Sequence, residues 1–567
     1  MLFDKFSALL LANSGLSPSK HVISRFQTPD AAAEFDWKNV STIMNEAAHL
    51  RSNLEQITAH ESMVYHDCYD GFQCARLQVP MDWTAEKGVD NRTVQIALIK
   101  LPASVPVTDS RYGGAVVFNP GETYQSTAEF TTWSLTSTRW SRRFWCSTGT
   151  CQSLSRKIVD ADHGQVHGSG EEFQTQISAG STADNKTAKF FDVISFDPRG
   201  VGYTSPTYHC FPSFIEKMNY NYEPSGPPSS SDTAFTSFWT SVRTLADSCS
   251  KRAVEAGIGE HMSTTSVARD IVEIFERHGE WREQEARKLL SSSGQSERDL
   301  PEHVRYQPGQ EMVQYWGISY GTVIGATLAD MYPDRVQRMI LDGVVDSFDY
   351  YQGTLTTIFQ DTDLELDKFA EYCWRGGPGN CALFHKDGPN SIDQRFSAIT
   401  KNLKRNPIGV PGTDEFSPDL VTYRDLQGLF MYASYGPLTT FYRLATVMAE
   451  LELGDATSLV QVRRSEAEIL ASGHSEECLE DGPYSDACNP YFMDETDNMI
   501  SMGVLCSDAK PQTDMTKEQY WHYMQDEMKE SKMAGDLGAV KRLFCTQVNP
   551  SPQSLKVKWR LILTSRV

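Results

Sequence analysis

One stretch, residues 311–331, constrains the fold of this chain more than any other. Its first part, Met312–Trp316, is largely apolar and rich in residues that favour β-strands. Gly317-Ile318-Ser319-Tyr320-Gly321 follows, and apolar residues then recur at helical spacing as far as Met331. This pattern predicts a strand, a sharp turn centred on Ser319, and a helix.

The segment after this predicted helix completes a strand–helix–strand unit. Tyr332-Pro-Asp334 ends the helix, and Val336–Gly343 has the composition of a second strand. Units of this kind build parallel sheets. The glycines on either side of Ser319 let the strand and the helix approach while the serine backbone is strained. We therefore expect an exposed hydroxyl beside a helix N-terminus, where partial positive charge favours a developing anion.

Other segments predict the surrounding elements of the same sheet. Val94–Leu101 alternates and should pair with the strand that follows Cys74, while Ala115–Phe118 and Phe190–Phe196 are apolar enough to be buried strands. Thr264–His278 predicts a helix with a threonine N-cap, and Gly279 predicts its C-cap. Strands that alternate with helices indicate an α/β fold with a mostly parallel sheet.

Composition and motifs exclude several classes of function. A net charge of −22 disfavours nucleic acid and anionic membranes as partners. No apolar run approaches the about 20 residues that span a bilayer. Gly200-Val-Gly202 lacks the third glycine of a dinucleotide site, and His163 and His167 with nearby acids indicate a loop rather than a metal site. We therefore predict neither a cofactor nor a metal.

The cysteines suggest an oxidising compartment. Twelve are present, and several are close in sequence. Local disulfides account for this spacing better than free buried thiols, which remain the alternative. The close pairs are Cys68 with Cys74, Cys146 with Cys151, Cys373 with Cys381, and Cys478 with Cys488.

The cellular location stays open on the residues alone. Phe6–Ala12 resembles a very short signal-peptide core, but its brevity and Asp4 count against one. Sequons at Asn39, Asn91 and Asn185 predict a glycoprotein only weakly, because chance gives about two in such a chain. Both a secreted and a cytoplasmic protein are compatible with these features.

Four segments resemble the α/β-hydrolase family of prolyl and tripeptidyl aminopeptidases, especially its secreted bacterial and fungal branch. In order, they are Cys74–Asp82, Phe118–Gly121, Phe191–Gly202 and Trp316–Thr322. The resemblance covers roughly residues 60–346 and continues more thinly through Gly503–Asp508. It implies an α/β-hydrolase fold with a helical cap inserted after the strand–turn–helix unit, and a secreted serine exopeptidase that removes N-terminal residues from peptides.

The same resemblance assigns site residues and domains. Ser319 would be the nucleophile, and the backbone N–H of Tyr320 and the loop at Gly121 would stabilise the oxyanion. We interpret Asp197–Gly200 as a structural turn in which Arg199 anchors neighbouring loops. The implied domains are a helical extension (1–58), the hydrolase core (59–346), a cap (347–505), and the start of a C-terminal core segment (506–567).

Two departures from the family pattern leave alternatives open. Glu122 replaces the glycine expected beside the oxyanion, and residues 122–157 look like an insertion or a misjoined segment. No histidine after Ser319 (His385, His474, His522) follows a terminal strand, so no triad Asp or His is recognisable. Val557–Thr564 could be the penultimate strand, which implies a truncated chain. The alternatives are an ester, lactone or thioester hydrolase of secondary metabolism, and a catalytically impaired binding protein.

Overall fold

The computed structural model describes residues 57–68, 71–86, 88–121, 177, 187–212, 216, 220, 228–412, 417–463 and 498–547. Several predictions fall outside these ranges. They concern most of the N-terminal extension with its signal-like segment, Asn39 and Asn185, residues 122–157 with Glu122, the pair His163 and His167, His474, four cysteines (Cys146, Cys151, Cys478, Cys488), and Val557–Thr564.

A seven-stranded mixed sheet organises the described part of the chain. Its order is β1-β2-β3-β5-β4-β6-β7, with parallel pairing from β5 through β4 and β6 to β7 and antiparallel pairing on the β1–β3 side. The strands are β1 (His66–Asp67), β2 (Gln73–Pro80), β3 (Thr93–Leu101), β4 (Tyr112–Asn119), β5 (Phe190–Phe196), β6 (Val313–Ile318) and β7 (Val336–Asp342). Every strand predicted within these ranges is present.

Helices pack around this sheet and lead away from it. Those of the first part are α1 (Asp232–Ala256), α2 (Thr264–Ser292), α3 (Tyr320–Met331) and α4 (Ser347–Gln352). Short 3₁₀ turns occupy Pro228–Ser230, Glu297–Asp299, Glu302–Val304 and Pro333–Arg335. The central core combines β-strand side chains with those of α2 and α3, among them Val117, Ile194, Ile271, Tyr315 and Ile324. No described helix is both long and apolar enough to cross a bilayer.

Helix α2 corrects the predicted helix ends. It begins after Ser263, whose side chain caps it, and it runs on to Ser292, so Gly279 lies within the helix and is not its C-cap. The reason is close packing: a β-carbon on Gly279 would lie 2.4 Å from Cδ of Glu311. A glycine kept inside a helix for such a contact looks like a cap when only local sequence is considered.

A second hydrophobic cluster is built after α4. It gathers α5 (Thr362–Gly376), α6 (Pro389–Arg405), the hairpin β8 (Ile408–Val410) and β9 (Asp419–Val421), α7 (Tyr423–Tyr435) and α8 (Pro437–Glu452). Its members include Phe369, Phe396, Tyr423, Phe430, Leu444 and Met448. All of these residues lie within the predicted cap, whose boundaries remain a prediction.

The last described elements return to the sheet side of the molecule. They are α9 (Asn498–Asp508), α10 (Lys517–Glu530) and α11 (Gly535–Cys545). Leu505 and Phe544 belong to the central core, whereas Met533, between α10 and α11, joins the second cluster. The predicted boundary at 505/506 therefore falls inside a continuous helix.

Four disulfides connect described cysteines. Cys68–Cys74 and Cys373–Cys381 are the local bonds that their spacing predicts. Cys210–Cys249 and Cys506–Cys545 each join residues 39 positions apart, and close spacing did not predict them.

Candidate active site

The predicted turn stands where β6 meets α3. Ser319 has φ 53° and ψ −122°, a left-handed conformation that side chains other than glycine seldom adopt. Its N–H donates to the carbonyl of Asp342 at the end of β7 (3.0 Å). The residue is exposed and its side chain does not cap α3. The hydroxyl is therefore presented at the carboxyl end of the parallel strands instead of being used to hold the helix.

Glycines are required on both sides of this serine. A β-carbon on Gly317 would lie 2.3 Å from the carbonyl oxygen of Gly321, and one on Gly321 would lie 2.7 Å from that of Asn119. The Thr322 hydroxyl donates to the Ser319 carbonyl (2.7 Å) and accepts from the N–H of Val345 (3.0 Å). Close backbone contact and these two bonds keep the strained turn in place.

The loop after β4 lies directly against the turn. Gly121 has φ +92°, and a β-carbon there would lie 2.8 Å from both Cβ of Ser319 and N of Tyr320. The N–H of Tyr320 is the first of α3 and has no acceptor within the helix. The N–H of Gly121, in contrast, donates to Oδ1 of Asn119 (3.0 Å). An oxyanion would have to compete with Asn119 for that donor, and both oxyanion assignments remain predictions.

A polar network supports the side chain of Tyr320. Its hydroxyl lies 2.7 Å from Oγ1 of Thr264, the first residue of α2. Thr264 donates to the carboxylate of Asp508 through both its N–H (2.7 Å) and its hydroxyl (2.5 Å), and Tyr350 donates to the same carboxylate (3.0 Å). Burial raises the pKa of Asp508 to about 7, and the bonds from Thr264 and Tyr350 oppose that rise.

No sequence pattern predicts this network. Asp508 ends the segment through which the family resemblance continues more thinly, and Thr264 begins a predicted helix, but no motif links either position to Ser319. No local pattern joins residues separated by 244 positions. Only the sidedness of the elements, with helix α2 starting near the carboxyl ends of the strands, could have suggested a contact.

The histidines that follow Ser319 are not brought to it. His385 accepts a hydrogen bond from the N–H of Asp387, and His522 lies within α10, in the helix that its neighbours predict. In the ranges that the structure describes, no hydrogen bond joins either imidazole to Ser319.

A buried histidine–carboxylate pair does exist, at the opposite end of the sheet. Nε2 of His278 is 3.5 Å from Asp192, and Tyr112 at the start of β4 contacts both. Burial lowers the pKa of His278 well below its usual value. The carboxyl end of β4, which adjoins the serine turn, is seven residues from Tyr112, or roughly 20 Å at the rise of a strand. This pair is therefore too far from Ser319 to act as its base, and its role is structural.

Arg199 has the anchoring role predicted for it. Its guanidinium forms a two-bond pair with Asp270 (2.6 and 2.8 Å), and both side chains are excluded from solvent. The remaining donors reach the carbonyls of Met81 (2.5 Å) and Pro80 (2.7 Å). The turn after β5 is thereby tied to β2 and α2.

Comparisons with known proteins show what this chain is similar to. A family model described as the alpha/beta hydrolase fold matches residues 166–373. The tripeptidyl aminopeptidase of Streptomyces coelicolor is 23% identical over 370 residues, which are 64% of this chain and 55% of that protein. The serine protease Hip1 of Mycobacterium tuberculosis is 24% identical over 278 residues, 49% of this chain and 36% of that protein. The chain thus spans about half the length of the tripeptidyl aminopeptidases that it matches.

Proposed function

Because the chain has the α/β-hydrolase fold and resembles its serine-peptidase-like members, we propose that it is a serine hydrolase that removes N-terminal residues from peptides. The Ser319 hydroxyl attacks the scissile carbonyl, the peptide C–N bond breaks, and the shortened peptide leaves as an amine that takes up the proton of the hydroxyl. Water then hydrolyses the acyl-enzyme, which releases the N-terminal fragment and regenerates the serine hydroxyl. The fold and the resemblance to tripeptidyl aminopeptidases agree with those predicted from sequence. The nucleophile and the substrate belong to the proposal.

The backbone of Ser319 is the observation that carries the proposal. A φ of 53° in a residue other than glycine is strained, and strain of this kind clusters at functional sites. Ser319 is exposed, precedes the first N–H of α3 and lies against Gly121. Those are the positions that a nucleophile and its oxyanion donors occupy in a serine hydrolase of this fold.

The first experiment reports on the serine itself. A fluorophosphonate probe reacts with activated serines, so the purified chain should be labelled on Ser319, as located by peptide mass spectrometry. Ser319→Ala should abolish labelling, and Ser296→Ala, in a loop beyond α2, should leave it unchanged. Equal labelling of Ser319→Ala and the wild-type chain, or no labelling of the folded wild-type chain, would refute the proposal.

A substrate panel tests the chemical class. Tripeptidyl anilides with a free α-amine should be cleaved faster than the same compounds acetylated at the amine, since an aminopeptidase recognises the ammonium group. The net charge of −22 adds a mild attraction for that cation. Preference for short acyl esters, lactones or thioesters would replace the peptidase assignment with an esterase-type one. Peptide binding without turnover would identify a non-catalytic binding protein.

We also propose that the protein works in an oxidising compartment outside the cytoplasm. Four disulfides among the described residues support this. Thiol titration of the protein isolated from its native source, under denaturing conditions, should find these eight cysteines unreactive before reduction. Free thiols at these positions would contradict the assignment.

A further inference from the structure

Asp508 occupies a position that the proposed catalytic step does not explain. It is the last residue of α9, and its two carboxylate oxygens accept three hydrogen bonds, two from Thr264 and one from Tyr350. No ion pair with Asp508 is formed in the part of the chain that the structure describes. A carboxylate removed from water without a cation is costly, so its acceptors have to be satisfied by well-placed donors.

The hydrogen bonds have a fixed direction when Asp508 is ionised. A carboxylate only accepts, so the Thr264 hydroxyl must donate to it. The hydroxyl of Tyr320 must then donate to Oγ1 of Thr264, which is 2.7 Å away. The chain Tyr320–Thr264–Asp508 therefore runs from the residue next to the nucleophile to a single negative charge.

This chain also joins α9 to the serine turn. Asp508 follows helices α5 to α8 of the second hydrophobic cluster in sequence. Cys506, two residues earlier, is bonded to Cys545 in α11. The N–H of Lys510 donates to the carbonyl of Tyr351 (3.0 Å), next to Tyr350. The end of α9 is thus held from several sides, and its carboxylate is fixed relative to Tyr320.

We infer that Asp508 is a positioning residue, which acts through Thr264 to orient Tyr320 and hence the Tyr320 backbone N–H toward the reacting carbonyl. The inference rests on the proposed function, since it assigns Asp508 to the oxyanion side of the Ser319 site. On this inference α9, which follows most of the predicted cap in sequence, also contributes to the geometry of the site. A shift of α9 would move the oxyanion donor without touching the nucleophile.

The test separates probe binding from probe reaction at Ser319. Fluorophosphonate labelling is measured at about pH 8.5, above the pKa of Asp508 of about 7, so that the carboxylate is ionised. A range of probe concentrations gives an apparent affinity and a limiting rate. Tyr320→Phe and Thr264→Val each break one link, and Asp508→Asn reverses the hydrogen-bond direction because the amide nitrogen donates. Loss of a whole oxyanion donor costs 10²–10³ in rate, so a misaligned donor should lower the limiting rate about tenfold with little change in affinity.

Two further variants make the result specific. Thr264→Ser keeps both donors and should restore the wild-type rate. Tyr523→Phe removes another largely buried hydroxyl, which donates to the carbonyl of Thr354 away from the turn, and should leave the rate unchanged. The double variant Tyr320→Phe with Thr264→Val should lose no more rate than either single variant, because both changes break the same chain.

The outcomes distinguish this inference from the proposed function. A wild-type chain that is not labelled defeats the proposed function, and the inference with it. A labelled wild-type chain whose Tyr320→Phe variant reacts at the same limiting rate overturns the inference alone. An equal loss in Tyr320→Phe and Tyr523→Phe would also overturn it, because the effect would then be general loosening of the fold.

Discussion

Replacing Arg199 by methionine should strongly lower the free energy of unfolding without directly affecting Ser319. The change removes the two bonds to Asp270 and those to the Met81 and Pro80 carbonyls. Asp270 would keep only the bond from Trp83 Nε1 (2.8 Å) in a site closed to solvent. Removing one partner of a buried ion pair destabilises a protein by about 3–5 kcal/mol, because the other charge is left uncompensated.

The assay is urea unfolding followed by tryptophan fluorescence. Arg199→Met should lower the free energy of unfolding by about 3–5 kcal/mol. The free energy of unfolding of Arg199→Lys should lie between those of the wild-type chain and Arg199→Met, since an ammonium keeps the charge but cannot form both hydrogen bonds to Asp270. Arg199→Met combined with Asp270→Leu should recover much of the loss, because no buried charge remains.

An exposed ion pair supplies the control. Arg92 pairs with Asp90 at 2.7 Å, but its side chain is 54% exposed. Arg92→Met should therefore change the free energy of unfolding by less than about 1 kcal/mol. If Arg199→Met were as stable as the wild-type chain yet no longer labelled by the fluorophosphonate, the structural role of Arg199 would be refuted and a part in the site indicated.

Three further predictions concern single positions. Gly121→Ala would place a β-carbon 2.0 Å from the backbone of the turn at a φ of +92°, so labelling of the serine should slow at least about tenfold; an unchanged rate would mean that the loop is not part of the site. Gly279→Ala should lower the melting temperature, because the new β-carbon meets Glu311 at 2.4 Å and overpacking costs about 1–3 kcal/mol. Gly428→Ala, in an open helical position, should instead raise the free energy of unfolding by about 0.5–1 kcal/mol. A stability change of the same sign in Gly279→Ala and Gly428→Ala would contradict the packing argument. The pKa of Asp508 is raised to about 7, so the stability that its neutral form provides is complete below about pH 4 and is lost as the pH rises through 7. The Asp508→Asn variant has no carboxyl group to titrate at this position, so its stability should not fall in this way. The difference in unfolding free energy between the variant and the wild-type chain should therefore change by up to about 4 kcal/mol between pH 4 and pH 8. A constant difference would show that Asp508 is not the titrating group.

Local patterns were sufficient for the serine turn and for the strands around it. Val313–Ile318 is mostly apolar because the strand has a neighbour on each side in the sheet. The glycine before Ser319 is required by a contact within the same short segment. The strand partners β2 and β3 followed from alternation and proximity along the chain. In each case the residues that decide the structure are close in sequence.

Patterns failed where the deciding contact is remote. Gly279 satisfies every local rule for a helix end, and only Glu311, more than 30 residues later, shows why a glycine is needed inside α2. The disulfides Cys210–Cys249 and Cys506–Cys545 likewise depend on how helices pack, whereas the two local bonds depend on loop length alone. Spacing rules therefore identify short covalent loops and miss the bonds that connect packed elements.

The hydrogen bonds that hold Tyr320 also depend on contacts between residues far apart in sequence, and the chemistry of the site suggests why these hydrogen bonds are present. Apolar packing could hold an aromatic ring at this place without the desolvation of a carboxylate, so stability alone does not call for Asp508. Hydrogen bonds supply what packing lacks, a fixed orientation of donors and acceptors. A backbone N–H that is to meet a developing oxyanion needs such orientation, since its contribution depends on reaching the charge at 2.7–3.1 Å. The residues that provide this orientation come from the start of α2, the start of α3 and the end of α9. Their contact could not be predicted from the sequence, because these residues are far apart along the chain and become neighbours only in the folded protein.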